Sequence, residues 1–313
     1  MSALLFPGQG SQVVGMGLEL YKNFKIVKKI FSEADQKLNF SLSKIILEGP
    51  EDELKLTKYT QPAILTVSYS IFKVLKDEFK LNFEDFKFFA GHSLGEYSAL
   101  VCADSLDFAD AIYLLHERGK AMQEAVPIGK GKMIAILGTP IKNIIDLVNK
   151  RIDQNGICEI ANDNAEGQVI ISGDKKNIEA FEKELKQNKI KFIPLKVSAP
   201  FHCSLMKKAA ENMEKKILNT KFNKPQFQII NNVNALPEVN SEDIKRLLVK
   251  QIFSTVKWRQ TLLYMSNNGV TNFIEIGPGK VLSGMAKRTI KKAKCFSINS
   301  IADIKNLKNE LKK

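Results

Sequence analysis

The sequence predicts an α/β protein in two parts: a large α/β-hydrolase-like domain with a mostly parallel sheet, over residues 1–128 and 198–313, and a small ferredoxin-like (βαββαβ) domain inserted at 129–197. Three observations carry this prediction. Short apolar runs (Ala3–Phe6, Phe86–Ala90, Gln228–Asn232, Asn272–Ile276, Lys294–Ile298) alternate with stretches of helical periodicity, the pattern of parallel strands joined by helical crossovers. The second run breaks at Gly91, passes through Ser93 in a G-x-S-x-G frame and resumes as a helix-compatible stretch, Leu94–Ala103. That frame puts a serine on a sharp strand-to-helix corner, at a helix N-terminus where unpaired N–H groups can hold a developing oxyanion. Between Pro127 and Val197, finally, the periodicity changes to an independent β-α-β-β-α-β order.

In chain order, the strand Ala3–Phe6 runs into Pro7-Gly8-Gln9-Gly10-Ser11-Gln12. Val13 stands where a dinucleotide fingerprint needs its third glycine, and no G-K-[ST] follows. The segment reads instead as a rigid loop offering backbone N–H groups to a site. Helices are expected from there to Leu81, with breaks at Gly49-Pro50 and Thr60-Gln61-Pro62 and an apolar stripe of Ile64, Val67, Ile71, Val74 and Leu75. In Asp107–Val126, Phe108, Ile112, Leu115, Met122 and Val126 define one buried face. Arg118 falls at the edge of that face, where an arginine is ordinarily solvated or structural.

Pro127–Gly131 reads as a linker. The inserted unit then runs strand Met133–Leu137, helix Ile141–Lys150, strand Ile157–Ala161, turn Asn162–Gly167, strand Gln168–Ser172, helix Lys176–Gln187 and strand Lys191–Val197. The last third alternates the helices Leu205–Leu218, Glu242–Ile252, Gln260–Ser266 and Val281–Ile290 with its strands. Gly277-Pro278-Gly279 turns one strand into the next helix, and the lysine-rich tail from Asp303 is expected to be an exposed helix.

Hydrophobic (44%) and charged (26%) fractions are those of a soluble globular chain, and no apolar run reaches the length of a membrane span. No signal or transit peptide precedes the first strand, so a cytoplasmic protein is expected, with a plastid or mitochondrial site only if a leader has been removed. The four cysteines form no C-x-x-C pair, which argues against a disulfide framework or a thiolate zinc site; no metal is expected, and Cys203 reads as structural. Net charge is +13, but all except five of the 47 basic residues are lysine and they are dispersed. That argues against nucleic acid and leaves room for an acidic protein partner. The five arginines (Arg118, Arg151, Arg246, Arg259, Arg288) stand out as places where a planar, bidentate cation is needed.

A serine nucleophile needs a base, and the chain has three histidines. The ring of His92 should project away from its neighbour Ser93. His116 lies mid-helix among apolar residues. His202, on a proline-stiffened loop at the return from the insert, is the best candidate. No histidine follows it and no acid announces itself as a third member, which argues against the Ser–acid–His order of ordinary lipases and esterases.

The motifs Phe6–Gln12, Thr60-Gln61-Pro62-Ala63, Gly91–Tyr97, Arg118-Gly119-Lys120, Asn162 and Asn164 before Gly167-Gln168, Pro200-Phe201-His202, Asn231-Asn232-Val233 and Gly277–Lys280 together resemble, in order and spacing, the malonyl-CoA:acyl carrier protein transacylases. The resemblance covers essentially the whole chain. It implies that Ser93 is the nucleophile and His202 the base, that backbone N–H groups of Gln9 and Leu94 form an oxyanion hole, that Arg118 clamps the malonyl carboxylate, and that Gln251 orients His202 in place of an acid. It also implies malonyl-CoA and a transient, acidic acyl carrier protein as partners, no cofactor beyond the coenzyme A thioester and the carrier's phosphopantetheine, and a monomer. The chain departs from the pattern after Gln251, with Ser254-Thr255 where the family often has Asn-Pro. A serine thioesterase or esterase, an acyltransferase serving polyketide synthesis and an inactive carrier-binding homologue are the alternatives.

Overall fold

A computed structural model describes residues 1–151, 156–197 and 199–311. The expected boundary residue Ser198 thus lies outside the described residues.

The strands are β1 (Ser2–Phe6), β2 (Phe86–Gly91), β3 (Gly131–Leu137), β4 (Cys158–Ala165), β5 (Gln168–Asp174), β6 (Lys191–Pro194), β7 (Gln228–Ile230), β8 (Pro237–Glu238), β9 (Asn272–Ile276) and β10 (Lys294–Ile298). They form a six-stranded sheet in the order β10-β9-β1-β2-β7-β8 and a four-stranded sheet in the order β4-β5-β3-β6. In the larger sheet β10, β9, β1, β2 and β7 are mutually parallel and β8 is antiparallel to β7. Every pairing in the smaller sheet is antiparallel. Its order is that of a ferredoxin-like unit.

The central strands β1 and β2 are apolar at nearly every position because both faces of the sheet are covered. Leu4, Phe6 and Phe89 share one core with Ala63, Ile64, Val67 and Ile71 of the helix Thr57–Lys73. Ala3, Leu5, Phe88 and Ala90 face the other way, onto Trp258 and Leu262 of the helix Trp258–Asn267 and Leu282 and Met285 of the helix Val281–Thr289. The small sheet divides its residues likewise: Ile134, Ile136, Val169 and Ile171 pack on its own two helices, Ile141–Asn149 and Lys175–Gln187. Met133, Ala135 and Ile170 turn toward the core of the large sheet. Among the described residues, no helix is long and apolar enough to cross a membrane.

Four local expectations are corrected. Thr60-Gln61-Pro62 does not break a helix; Pro62 lies inside Thr57–Lys73. A proline there deprives the Lys58 carbonyl of its helical donor, and Nδ1 of His116 supplies a substitute at 2.9 Å. The approach is close because Gly119, on the helix Phe108–Glu124, has no side chain: a Cβ there would stand 2.5 Å from Lys58 Cα. Residues 162–165 are not a turn but the bulged end of β4. The final strand of the insert stops at Pro194, short of Val197. The tail helix Ile301–Glu310 is not wholly exposed, since Ile304 and Leu307 are buried.

Candidate active site

β2 ends at Gly91 and the helix Gly95–Cys102 begins four residues later. The turn between them is so tight that a Cβ on Gly91 would stand 1.8 Å from the Gly95 carbonyl, and one on Gly95 would stand 2.1 Å from the Phe6 carbonyl oxygen. Both flanks of the G-x-S-x-G frame must therefore be glycine. Ser93 itself sits at φ 53°, in the left-handed region that a residue with a Cβ avoids. Asn232 holds it there: its Oδ1 accepts the Ser93 N–H at 2.7 Å while its Nδ2 donates to the Gly91 carbonyl at 2.8 Å.

His202, also left-handed at φ 57°, brings Nε2 to 2.8 Å from Ser93 Oγ. Its Nδ1 lies 2.9 Å from the backbone carbonyl of Gln251, the last residue of the helix Ser241–Gln251. A carbonyl can only accept, so the Nδ1 proton is fixed and Nε2 is left with a lone pair facing the serine hydroxyl. The negative end of the helix dipole takes the position a triad acid would hold, favouring an imidazolium when one forms. Burial, and secondarily the Arg118 charge, lower His202 from 6.5 to about 3, so the free ring is a neutral base at ordinary pH.

Arg118 is 1% exposed, not at a solvated rim. Nη1 donates to Gln61 Oε1 at 2.7 Å; Nη2 donates to Gln251 Oε1 at 2.8 Å and to Ser93 Oγ at 3.1 Å. Its Nε has no partner among the described residues, and no carboxylate among them pairs directly with the guanidinium. A buried cation served by two amides and a hydroxyl retains donors for an incoming anion.

Of the other histidines, His92 lines the same cleft as Ser93, but its ring is engaged elsewhere. Its Nε2 is held 2.8 Å from Asn164 Oδ1, and its ring packs edge-on to Trp258. His202 alone of the three reaches the serine. Gln9 and Leu94 also line the cleft. Neither backbone N–H has a partner among the described residues, and Leu94 immediately precedes the first turn of the helix that follows the serine. The small sheet closes the opposite wall with Met133, Asn162, Asn164 and Ile170. No three His, Cys, Asp or Glu side chains among the described residues are grouped to hold a metal.

Three further residues belong to the site although residue-level reading assigned them nothing: Gln61, which anchors Arg118; Asn232, which pins the elbow; and Glu96, fully buried and bonded to Gln251 and Asn232. Each stands in one of the motifs, the only sequence signal they give. The departure after Gln251 has a local use, because Thr255 Oγ1 donates to the Ile160 carbonyl at 2.6 Å and ties this loop to the small sheet.

Residues 3–312 match the family described as acyl transferase domain. The chain is 43% identical to the malonyl CoA-acyl carrier protein transacylase of Bacillus subtilis, over 95% of its own length and 93% of the relative's. With the transacylase of Escherichia coli K12 the identity is 40%, covering 95% of each chain. Among solved structures, the acyl-carrier-protein-S-malonyltransferase of Bartonella henselae superposes with a TM-score of 0.95 at 41% identity, covering 100% of this chain and 99% of that one. A malonyl-transacylase solved in complex with a type II PKS acyl-carrier protein superposes at 0.94 with 40% identity, over 98% of this chain and 99% of that one. With the acyl transferase match spanning nearly every residue and close likeness in both sequence and structure, the chain belongs to the malonyl-CoA:acyl carrier protein transacylase family.

Proposed function

We propose that the protein moves malonyl from coenzyme A to the phosphopantetheine thiol of an acyl carrier protein through a malonyl-Ser93 intermediate, supplying extender units for fatty acid synthesis. The observation that carries this reading is the buried Arg118, whose Nη2 lies 3.1 Å from Ser93 Oγ. In malonyl a single methylene separates the reacting carbonyl from the free carboxylate, so nucleophile and carboxylate clamp must be neighbours.

In the first half-reaction His202 Nε2 takes the Ser93 proton as Oγ attacks the thioester carbonyl. The tetrahedral oxyanion is held by the N–H groups of Gln9 and Leu94, and one such donor is worth roughly 3–4 kcal/mol in the transition state. Its collapse breaks the C–S bond, and the imidazolium returns the proton to the departing coenzyme A sulfur. The carrier thiol then gives its proton to the same nitrogen and attacks the acyl ester, and Ser93 leaves with that proton. Donor and acceptor use one site in turn, which is ping-pong kinetics. Both steps use only the chain's own groups and the two thiols. We further assign the protein to the cytoplasm as a monomer, its +13 charge drawing a transient acidic carrier.

The test is incubation with malonyl-CoA and then holo acyl carrier protein, followed by intact-mass analysis of both proteins. The expected result is one malonyl adduct on the enzyme, absent in Ser93→Ala, that moves to the carrier. An adduct lost to water in the presence of carrier makes the protein a thioesterase instead.

A further inference from the structure

Glu96 takes no part in the steps above, yet it is 1% exposed and lies at the centre of the polar network. Three positions after Ser93 on a turn that becomes helix, its side chain comes back beneath the elbow. Oε2 accepts from Gln251 Nε2 at 2.7 Å and from the Asn232 N–H at 3.0 Å. The other end of the Gln251 amide, Oε1, accepts from Arg118 Nη2. One primary amide therefore spans a buried cation and a buried carboxyl group.

Those two neighbours fix which way the amide points. Turned over, its NH2 would face guanidinium donors and its oxygen would face a carboxylate oxygen, leaving both ends unsatisfied while Glu96 is ionised. The remaining acceptors near Nε2 are longer contacts, Ser93 O at 3.1 Å and Asn232 Oδ1 at 3.4 Å, and Asn232 Oδ1 already serves the Ser93 N–H. Glu96 is therefore the nearest acceptor holding the Nε2 end, as Arg118 holds the Oε1 end. We propose that Glu96 is a positioning residue: by holding Gln251 Nε2 it presents Gln251 Oε1 to Arg118, and so sets the guanidinium that selects a malonyl over an acetyl group. This rests on the reading of Arg118 given above. Keeping a carboxyl group here is costly, since burial lifts Glu96 to about 7 against the opposing pull of Gln251, Asn232 and Arg118; a chain that needed only packing would do better with an apolar residue.

The experiment is competition between malonyl-CoA and acetyl-CoA for Ser93, read as the ratio of the two acyl adducts by intact mass. Taken within one sample, the ratio is insensitive to any fraction of unfolded chains. Glu96→Ala is expected to shift it toward acetyl by about 10- to 100-fold, the worth of one hydrogen bond to a charged group. Glu96→Gln, whose amide oxygen can replace Oε2, is expected to stay within about threefold of the original protein. Glu96→Ala added to Gln251→Ala should move the ratio no further than Gln251→Ala alone. An unchanged ratio in Glu96→Ala, a Glu96→Gln shift as large as that of Glu96→Ala, or independent effects in the double variant each overturn the proposal. Failure of the unsubstituted protein to take up malonyl at all would instead overturn the functional reading beneath it.

Discussion

The two sheets meet at one cleft but supply different things to it. The six-stranded sheet contributes the strained corner at Ser93, buried polar groups on the loops and helices around it (Gln61, Glu96, Arg118, Asn232, Gln251), and the imidazole of His202, whose backbone is also left-handed. The four-stranded sheet contributes mainly a wall, Met133 and Ile170 with Asn162 and Asn164 at its rim. One side is over-determined by hydrogen bonds that fix a reacting geometry; the other is held by packing and by polar ties that anchor the sheet, such as those of Glu159 to Ser204 and Asp163 to Arg259. Chemistry therefore depends on single atoms of the first region, whereas the second acts through shape and through its attachment. Substitutions that attack the attachment, the charge and the wall separately test that division.

The largest effect on stability is expected where the two regions are pinned together. Asp163 of β4 is 1% exposed and takes Arg259 Nε at 2.9 and 3.1 Å and Nη2 at 2.9 Å. Its neighbour in β4, Asn162, forms a parallel bridge with Val256. Arg259→Ala leaves that carboxylate buried and unpaired, which should cost about 3–5 kcal/mol in chemical denaturation. The double variant Asp163→Leu/Arg259→Met should recover most of the loss, since a buried pair replaced by apolar groups of similar volume is often neutral. Recovery would show that the loss in Arg259→Ala comes from the orphaned carboxylate and not from the missing arginine side chain itself.

Arg118→Ala attacks the charge. Malonyl transfer should lose about 2–5 kcal/mol relative to acetyl transfer, and Arg118→Lys should not restore it because a point charge cannot serve Gln61, Gln251 and a carboxylate from one plane. The same substitution has a consequence in pH. With burial and Arg118 both disfavouring the imidazolium, His202 stays neutral down to about pH 3, so acylation by acetyl-CoA, which makes no use of the carboxylate clamp that Glu96 supports, should be flat from pH 8 to about pH 5, with no limb near 6.5. Removing a nearby cation favours protonation, so the limb in Arg118→Ala moves up in pH. Single-turnover labelling across that range checks both the flatness and the sign.

Much of the fold was legible in the sequence because each region keeps one hydrophobic period. The parallel strands are apolar runs that helices cover on both sides, and the inserted unit alternates cleanly enough to give its strand order. Ser93 was legible because glycines at 91 and 95 leave little else that such a corner can be. What escaped depends on compensation between distant residues. Pro62 reads as a break until His116, on another helix, is seen to cap the carbonyl it vacates. Arg118 reads as a rim residue because helical spacing gives a face but not the depth of what packs on that face. Gln251 illustrates the same limit. Its link to His202 runs through a backbone carbonyl, which any residue at that position possesses, while its side chain serves Arg118 and Glu96. No pattern of residue types distinguishes those two uses.

The smallest expected effect concerns the wall. Phe201 precedes His202, is 8% exposed and lines the cleft; its N–H is directed at Met133 Sδ of the small sheet. On the proposed function, a malonyl group held by Arg118 at one end and Ser93 at the other cannot slide, so a methyl group on its α-carbon must find room in the wall that faces it. One methylene of misfit is worth about 1–3 kcal/mol, or roughly 10- to 200-fold. Methylmalonyl-CoA should therefore acylate Ser93 more slowly than malonyl-CoA by a factor in that range, and Phe201→Ala should narrow the gap while leaving malonyl over acetyl intact. On that reading the two preferences separate because one is set by a charge on the helix Phe108–Glu124 and the other by a ring beside the small sheet. Equal rates for the two substrates would mean that the α-carbon faces away from Phe201. The line from the guanidinium to the serine hydroxyl would then run along a different side of the cleft.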